Sequence, residues 1–270
     1  NRQKKGLSPI TFRLFLHSVL SFLYYGLGGF LFSVFGSIFV KNAKGNTLIF
    51  IKKFIAKFLG SVLYTNPFVK KTVIKNPNED FSKPSVIIAN HTSFLDTLAM
   101  AMTTHKIVYL VNDWVYESPV FGKIVKALGF YPVSQGIENG MEKLRKKVKN
   151  GYSLMVFPEA KRSFDNDIKR FHKGAFYLAE QFDLDIVTVY IHGNSEVLPK
   201  GDFIIYDGAI TIKVGDRISK DDLSFGKTYS ERTKKINALF REKFSELRAE
   251  LEDENYFLKK LFLSFLYKEK

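Results

Sequence analysis

The chain has 270 residues, of which 46% are hydrophobic and 15% aromatic, and its formal net charge is +14. A chain of this length and composition can bury one sizeable hydrophobic core. It contains no cysteine, which excludes disulfides and thiolate metal sites, and its five histidines lack a paired ligand spacing such as HExxH, so we expect no metal site.

The positive charge is concentrated at the N-terminus, where twelve Lys and Arg residues precede the first acidic residue, Glu79. The rest of the chain is therefore nearly balanced in charge. The basic segment is also very apolar, and this combination favours an anionic lipid surface over the backbone of a nucleic acid as its partner. We expect membrane lipids, and no nucleic acid, among the partners.

The first predicted element is residues 14–40, which contain no Asp, Glu, Lys or Arg. An uncharged apolar run longer than about 18 residues is a candidate transmembrane helix. As one straight helix it would be about 40 Å long, against a hydrocarbon core of about 30 Å. The segment is therefore expected to tilt across the membrane, or to break near Gly26, Gly28 and Gly29 and re-enter.

The second element, residues 46–64, is predicted to be a basic amphipathic helix in the membrane interface. Apolar side chains recur there at helical spacing, and three lysines lie between them: Lys52, Lys53 and Lys57. The same pattern suits a helix that faces the core of a soluble domain, but the adjacent uncharged run favours the membrane. Residues 1–75 are accordingly predicted to form a membrane-associated helical arm.

Residues 76–225 alternate short apolar runs with longer mixed runs, which predicts a globular α/β domain with a mixed sheet flanked by helices. Strands are predicted at "SVIIA", "KIVYLV", "YSLMVFP" and "DIVTVYIHG". Two later runs, "FIIYDG" and "AITIKVGDRI", are predicted to form a hairpin. Residues 226–270 are predicted to add an amphipathic helix and an apolar, basic tail. In sheets of this kind ligands bind where the carboxyl ends of the strands meet loops.

The segment "ANHTSFLD" follows the strand "SVIIA" and places His91 five residues before Asp96. Two residues five apart in one helix lie about 140° apart, so the side chains meet only if a helix begins between them. One interpretation is a turn histidine and an acid near a helix start, where a negative charge is favourable. The other is a general base, His91, oriented by the carboxylate of Asp96.

A second polar segment, "PEAKRS", follows the strand "LMVF" and carries Glu159, Lys161, Arg162 and Ser163. A guanidinium and an ammonium at a sheet edge suit a phosphate group, and Glu159 would hold these cations or accept from a substrate hydroxyl. Lys173 lies at the start of a predicted helix, where free backbone N–H groups favour anions. The alternative is a solvated surface loop with no ligand.

Several motifs of other enzyme classes are absent from the sequence. There is no G-x-S-x-G elbow, no P-loop and no Rossmann glycine set, which argues against a serine hydrolase and a nucleotide-dependent enzyme. Ser93 is the one candidate nucleophile near His91 in sequence. Direct transfer to an activated hydroxyl is therefore favoured over a covalent intermediate.

The combination of these motifs resembles the glycerolipid acyltransferase family. "NHTSFLD" resembles its N-H-x4-D block and "FPEAKRS" its F-P-E-G-T-R-S block, while "LGFYPVS" and "DIVTVYIHG" lie where two further blocks are expected. The resemblance implies a membrane-seated α/β domain that transfers a fatty acyl group to a lysolipid hydroxyl. The donor would be an acyl-coenzyme A or acyl carrier protein thioester, with no cofactor.

The resemblance also implies residue roles. His91 would be the general base and Asp96 its partner, and Glu159 and Arg162 would bind the acceptor head group. Residues 76–225 would be the catalytic domain. The family further implies an inner, cytoplasmic membrane location, with the active site on the cytoplasmic face, and the chain is similar to acyltransferase regions fused to larger bacterial membrane proteins.

Four positions depart from the family pattern, and they leave the acceptor open. Ser134 stands where an acceptor-binding arginine is usual, Ala160 and Lys161 where Gly and Thr are usual, and Thr188 where Pro is usual. The acceptor is thus 1-acyl-glycerol-3-phosphate or a lipid with another head group, including one without a phosphate. A non-catalytic lipid-binding or scaffold module of the same fold is the competing hypothesis.

Overall fold

The computed structural model describes residues 9–163 and 167–257. Its centre is a seven-stranded sheet with the spatial order β1-β7-β6-β2-β5-β3-β4. The strands are β1 Val69–Ile74, β2 Ser85–Ala89, β3 Ile107–Val111, β4 Tyr131–Pro132, β5 Ser153–Val156, β6 Asp185–His192 and β7 Gly208–Ile218.

The sheet is mixed, because β6 and β7 pair antiparallel whereas the other neighbours pair parallel. Strand β2 lies between β5 and β6, and Ile87 is in register with Met155 on one side and Val187 on the other. All five residues of β2 are buried, as expected for a parallel strand covered on both faces. The predicted α/β fold with a mixed sheet is confirmed.

Ten α-helices lie between residues 9 and 251, and residues 254–257 are also helical. They are α1 Pro9–Leu31, α2 Ser37–Asn42, α3 Gly45–Ser61, α4 Leu95–Met100, α5 Asp113–Tyr116, α6 Gly122–Leu128, α7 Ile137–Lys149, α8 Gly174–Gln181, α9 Asn194–Val197 and α10 Tyr229–Leu251. A π-helical turn, Phe32–Gly36, connects α1 to α2, and short 3-10 turns lie at Val62–Tyr64, Val133–Gln135 and Leu223–Phe225.

The two faces of the sheet carry separate cores, because successive side chains of a strand point to opposite faces. On one face, Val86 and Ile88 of β2 pack in a cluster that includes Phe240 of α10. On the other face, Ile87 and Leu98 belong to a cluster that also contains Val69 of β1. Side chains of α1 pack against this cluster. The N-terminal arm and α10 therefore cover opposite sides of the sheet.

The N-terminal helix continues through its glycines without a break. A Cβ on Gly29 would come within 2.1 Å of the Phe121 ring, so this glycine allows α1 and α6 to approach closely. The chain reverses after Asn42, and α3 returns beside α1. The helix Phe12–Asn42 contains an 18-residue stretch with a mean hydropathy of 1.6 and suffices, by length and composition alone, to cross a membrane.

The structure corrects two sequence predictions, and a third falls mostly outside the described residues. The late hairpin is wrong, because residues 202–207 form no strand and β7 pairs instead with β6 and β1. Strand β1, which pairs in parallel with β7, falls within the 1–75 range predicted as arm. Most of the predicted apolar, basic tail, residues 258–270, lies outside the described residues.

Candidate active site

His91 lies two residues beyond the end of β2, on the turn that leads into α4. The preceding Asn90 is fully buried, and its side chain exchanges two hydrogen bonds of 2.8 Å with the backbone of Ile191 in β6. These bonds fix the end of β2 against its neighbour. The turn therefore presents His91 at the carboxyl edge of the sheet, where ligand sites are expected.

Asp96 is the second residue of α4 and is completely buried. Its Oδ2 lies 2.9 Å from Nδ1 of His91 and also accepts the backbone N–H groups of Thr92 and Ser93 at 2.7 and 2.8 Å. Because a carboxylate that takes two N–H donors acts as an acceptor, Nδ1 of His91 carries the hydrogen. The helix begins between His91 and Asp96, as their five-residue spacing requires.

A third residue, Asn194, holds the other oxygen of Asp96. The side-chain amide of this fully buried residue donates to Oδ1 of Asp96 at 2.7 Å. Asn194 follows Gly193, whose φ of 87° and whose contact with the carbonyl of Ala209, 1.8 Å from an ideal Cβ, exclude other residue types. Asn194 is not among the site residues predicted from the sequence, although "HGN" at the end of a predicted strand indicates a polar side chain at this edge of the sheet.

The imidazole of His91 stacks on Phe157, with ring centroids 4.2 Å apart and planes 16° apart. The side chain of His91 is 18% exposed. Among residues 9–163 and 167–257, no protein group hydrogen-bonds Nε2. Since Nδ1 carries the hydrogen, a neutral His91 offers at Nε2 a free acceptor for a proton.

Glu159 connects the loop after β5 to this turn. Its Oε1 accepts the backbone N–H of His91 at 2.8 Å, and its Oε2 accepts that of Lys169 at 2.9 Å. Burial raises the pKa of Glu159, and the two backbone hydrogen bonds oppose that rise. Glu159 therefore fixes the backbone beside the imidazole, while its predicted role in binding an acceptor stays a prediction.

The other residues of the loop divide into two groups. Ser163 is buried and donates its backbone N–H to the carbonyl of His91 at 2.8 Å, and Arg162 lines a cavity together with His91. Lys161 and Lys173 are exposed and do not line that cavity. The structure thus brings Glu159, Arg162 and Ser163 to His91, and it places the two lysines outside this group.

An apolar cavity of about 150 Å³ extends from His91 toward the N-terminal arm. Its walls combine the arm with the sheet and α6, and they include Tyr25, Phe58, Leu98, Phe121 and Phe130. Most of the lining is aromatic or aliphatic, and Arg162 lies with His91 at its polar end. Such a cavity suits a long apolar ligand whose reactive end meets the imidazole.

Ser134 is exposed and donates a hydrogen bond to the carboxylate of Asp113 at the start of α5. Asn112 and Trp114, on either side of Asp113, line the cavity. Position 134, where the family pattern has an arginine, therefore holds a neutral serine beside the acidic Asp113. No group of three or more His, Asp or Glu side chains suited to a metal ion occurs in the described part of the chain.

Comparison with known proteins agrees with this geometry. The model of the Acyltransferase family matches residues 68–192, which contain His91, Asp96, Glu159 and Arg162. Over this segment the match and the shared motifs support the glycerolipid acyltransferase family. Asn194 lies two residues beyond the segment that matches the family model.

The curated proteins that the chain matches carry one activity in their names. The chain is 29% identical to the chloroplastic 1-acyl-sn-glycerol-3-phosphate acyltransferase BAT2 of Brassica napus over 63% of this chain and 52% of that protein. It is 27% identical to the corresponding enzyme of Saccharomyces cerevisiae over 53% and 50%, and to the beta enzyme of Homo sapiens over 53% and 54%. The chain spans about half the length of these relatives.

A solved structure shares the fold of this chain. The 1-acyl-sn-glycerophosphate acyltransferase PlsC of Thermotoga maritima superposes with a TM-score of 0.73 at 21% identity. The match covers 88% of this chain and 98% of that one, so it includes part of the N-terminal arm as well as the sheet.

Proposed function

We propose that the protein is a membrane-bound O-acyltransferase that moves a fatty acyl group from an acyl thioester to a hydroxyl of a lysolipid. The observation that carries the proposal is the buried Asp96, which orients His91 at the polar end of an apolar cavity. The names of the relatives favour 1-acyl-glycerol-3-phosphate as the acceptor. The donor is an acyl-coenzyme A or acyl carrier protein thioester.

The proposed reaction begins when Nε2 of His91 takes the proton of the acceptor hydroxyl. The hydroxyl oxygen attacks the thioester carbonyl carbon, and the tetrahedral intermediate then forms the ester and breaks the carbon–sulfur bond. The leaving thiolate receives the proton from His91, so the imidazole returns to its starting state. Asp96 stabilises the imidazolium that exists between the two proton transfers.

The apolar cavity is the proposed site of the acyl chain. A chain in the cavity would bury methylene groups against rings such as Phe58, Phe121 and Phe130, at about 0.8 kcal/mol for each methylene. Its thioester carbon would then lie at the polar end beside His91. Because α1, α3 and α6 form much of the wall, a lipid enters this site from the membrane side.

Membrane attachment is proposed to occur through the outer face of the arm. Large apolar side chains are exposed at intervals from Phe12 to Phe39, and they form a far larger apolar surface than a soluble monomer usually exposes. The opposite face is occupied by the domain: Ser18 accepts the backbone N–H of Ile205, and Ser33 that of Ile124. The outer face is therefore the one available to lipid.

These two contacts also bear on how deeply the arm inserts. Ser18 and Ser33 are about 22 Å apart along a helix, which approaches the hydrocarbon thickness of about 30 Å. A perpendicular crossing would pull the charged domain into the hydrocarbon. We therefore favour an arm that lies along one leaflet over one that spans the bilayer, with the active site at the cytoplasmic surface of the inner membrane.

The acceptor head group is proposed to lie between His91 and Arg162. Arg162 is the described cation that lines the cavity with the imidazole, and a guanidinium binds a phosphate through paired hydrogen bonds. Lys161 and Lys173 are exposed and free to approach a head group from solvent. Ser134 and Asp113 add an acceptor-rich site in place of the usual arginine, which favours head groups that carry hydroxyl or ammonium donors.

The test of this function is acyl transfer by the purified protein in mixed micelles. A labelled acyl thioester is supplied with a panel of lysolipids, and ester products and free thiol are measured together. Thiol release matched by one diacylated product supports the acyltransferase, and the product identifies the acceptor. Lipid binding without thiol release from either coenzyme A or carrier protein donors would instead favour the non-catalytic module.

A further inference from the structure

A second concave surface lies between α3 and the segment that connects α4 to β3. We call it the basic groove, and its lining includes Lys53, Lys57 and Tyr64 on one side and Met102, Thr104 and His105 on the other. Its volume is about 520 Å³. None of its lining residues lines the cavity that contains His91, so the groove is separate from the proposed active site.

The lysines of the basic groove have no acidic partner among the residues that the structure describes. Within the described ranges 9–163 and 167–257, no carboxylate forms an ion pair with Lys53 or Lys57, and the chain has no acidic residue before Glu79. His105 stands among positive charges: burial lowers its pKa, and Lys53, Lys106 and Lys52 lower it further. The groove therefore concentrates positive potential that the protein itself does not neutralise.

Lys52 places a buried amine behind the groove, and burial lowers its pKa to about 7. Its side chain is 7% exposed, and Nζ lies 3.7 Å above the centre of the Tyr152 ring with no carboxylate in the described structure paired to it. Lys52 lines a small cavity that also includes Thr104 and His105 and so adjoins the groove. A ring face compensates such a charge only in part, and an anion in the groove would supply the missing partner.

The rim of the groove indicates what kind of anion fits. Tyr64 lines the groove and is 60% exposed, and Phe50, about one helical turn before Lys53 in α3, is 70% exposed. Exposed aromatic side chains next to lysines are typical of a protein surface at the level of lipid head groups. A soluble metabolite would not need this apolar rim, whereas a phospholipid presents a phosphate and two acyl chains to it.

We propose that the basic groove binds the phosphate of one anionic phospholipid of the surrounding membrane. The site would hold this lipid as a bound ligand, at a place separate from acyl transfer. The lipid would dock α3 on the bilayer and complete the charge balance around Lys52 and His105. The inference rests on the proposed membrane association, and it adds a lipid site that the acyl transfer reaction does not require.

The test follows the imidazole of His105 by NMR in neutral detergent micelles, with the signal assigned through a His105→Asn variant. Dihexanoyl phosphatidylglycerol is added below its own micelle concentration, and dihexanoyl phosphatidylcholine serves as the uncharged-lipid control. With dihexanoyl phosphatidylglycerol we expect a saturable change in the imidazole signal of His105 and a raised pKa of this side chain. Dihexanoyl phosphatidylcholine should cause neither. A negative phosphate next to the ring stabilises its protonated form.

Matched variants separate the groove from general charge. Lys53→Gln/Lys57→Gln should weaken the response at least roughly tenfold, as expected for two lysines worth about 1 kcal/mol each. Lys41→Gln/Lys44→Gln removes the same charge from exposed positions of the same arm and should leave the response unchanged. The proposal would be overturned if both double variants weakened the His105 response equally. It would also be overturned if Lys53→Gln/Lys57→Gln kept the full response.

The outcome is independent of the acyl transfer assay. A His91→Ala variant should keep the His105 response, because the groove and the His91 cavity share no lining residue. Binding of the protein to vesicles with no His105 response would overturn the groove site and leave membrane association intact. A clear response in a protein that transfers no acyl group would support the groove and contradict the proposed enzyme activity.

Discussion

Asn194 donates a 2.7 Å hydrogen bond to Oδ1 of Asp96, the carboxylate oxygen that does not contact His91. Both oxygens of this fully buried carboxylate are therefore occupied by donors, and its plane is fixed from two sides. The pair is 98 residues apart in sequence and meets because β2 and β6 are neighbours whose carboxyl ends share one edge. Asn194 is a positioning residue for the proposed general base.

Asn194→Ala should lower kcat about tenfold with little change in KM for the lysolipid. The buried Oδ1 of Asp96 loses its donor, which costs about 1–3 kcal/mol, and the imidazole is held less firmly. The double variant His91→Ala/Asn194→Ala should be no less active than His91→Ala alone, because both act through one unit. A purely structural role would instead lower the melting temperature and leave kcat intact.

Asp96→Asn should reduce kcat about 10³- to 10⁴-fold while the fold is preserved. An amide group can present its donor to Nδ1 of His91, which would leave the hydrogen on Nε2 and remove the free acceptor. Single-turnover rates, with circular dichroism as the folding control, measure this effect. A variant that retained more than about a tenth of the wild-type rate would show that Asp96 does not set the tautomer.

Ala160→Gly should stabilise the protein by about 0.5–1 kcal/mol. Ala160 has φ of 60°, in the left-handed region that costs a residue with a Cβ about 1–2 kcal/mol, and part of the gain is offset by the greater freedom of glycine when unfolded. Ala56→Gly, inside α3, is the control and should destabilise by about 1 kcal/mol. Denaturant unfolding in detergent at one pH should show these opposite signs.

Lys52→Met should stabilise the protein at low pH and progressively less at high pH. Burial, followed by the charge of Lys147, lowers the pKa of Lys52 to about 7. Folding therefore releases a proton from this lysine between about pH 7 and pH 10.5, so the wild type gains stability as pH rises through that window. Below pH 7 the full cost of burying the charge is present.

The expected gain for Lys52→Met is on the order of 1–3 kcal/mol at pH 6, and it should shrink steadily toward pH 10. The measurement is unfolding in neutral detergent, without anionic lipid, across this range. Lys57→Met, at an exposed position of the same helix, is the control and should show no such trend. A gain for Lys52→Met that did not vary with pH would contradict the assignment of a buried, weakly compensated ammonium.

The parts of the fold that the sequence predicts correctly are those governed by local pattern. The five apolar residues of β2 predict a buried strand, and the spacing of His91 and Asp96 requires a helix to begin between them. The roles of these side chains came from the family resemblance. Asn194 was missed, because its contact with Asp96 depends on the order of strands in the sheet, which local pattern does not give.

Two errors arise from packing against the arm. The apolar run "FIIYDG" was taken for a strand, but the backbone N–H of Ile205 bonds to Ser18 of α1 and that of Tyr206 to the carbonyl of Val197. Lys52 is predicted with Lys53 and Lys57 on a basic helix in the membrane interface, yet it is buried over Tyr152. In both cases the partner lies far away in sequence, and a helical or strand period cannot show it.

The most direct test of His91 as the general base is to compare acyl transfer by His91→Ala with that by the wild type. The wild type should convert a lysolipid and an acyl thioester to a diacyl lipid and free thiol. His91→Ala should fall to about one-thousandth of that rate or less, with unchanged circular dichroism and vesicle binding. Transfer by His91→Ala at a rate near that of the wild type would contradict the assignment of His91 as the general base.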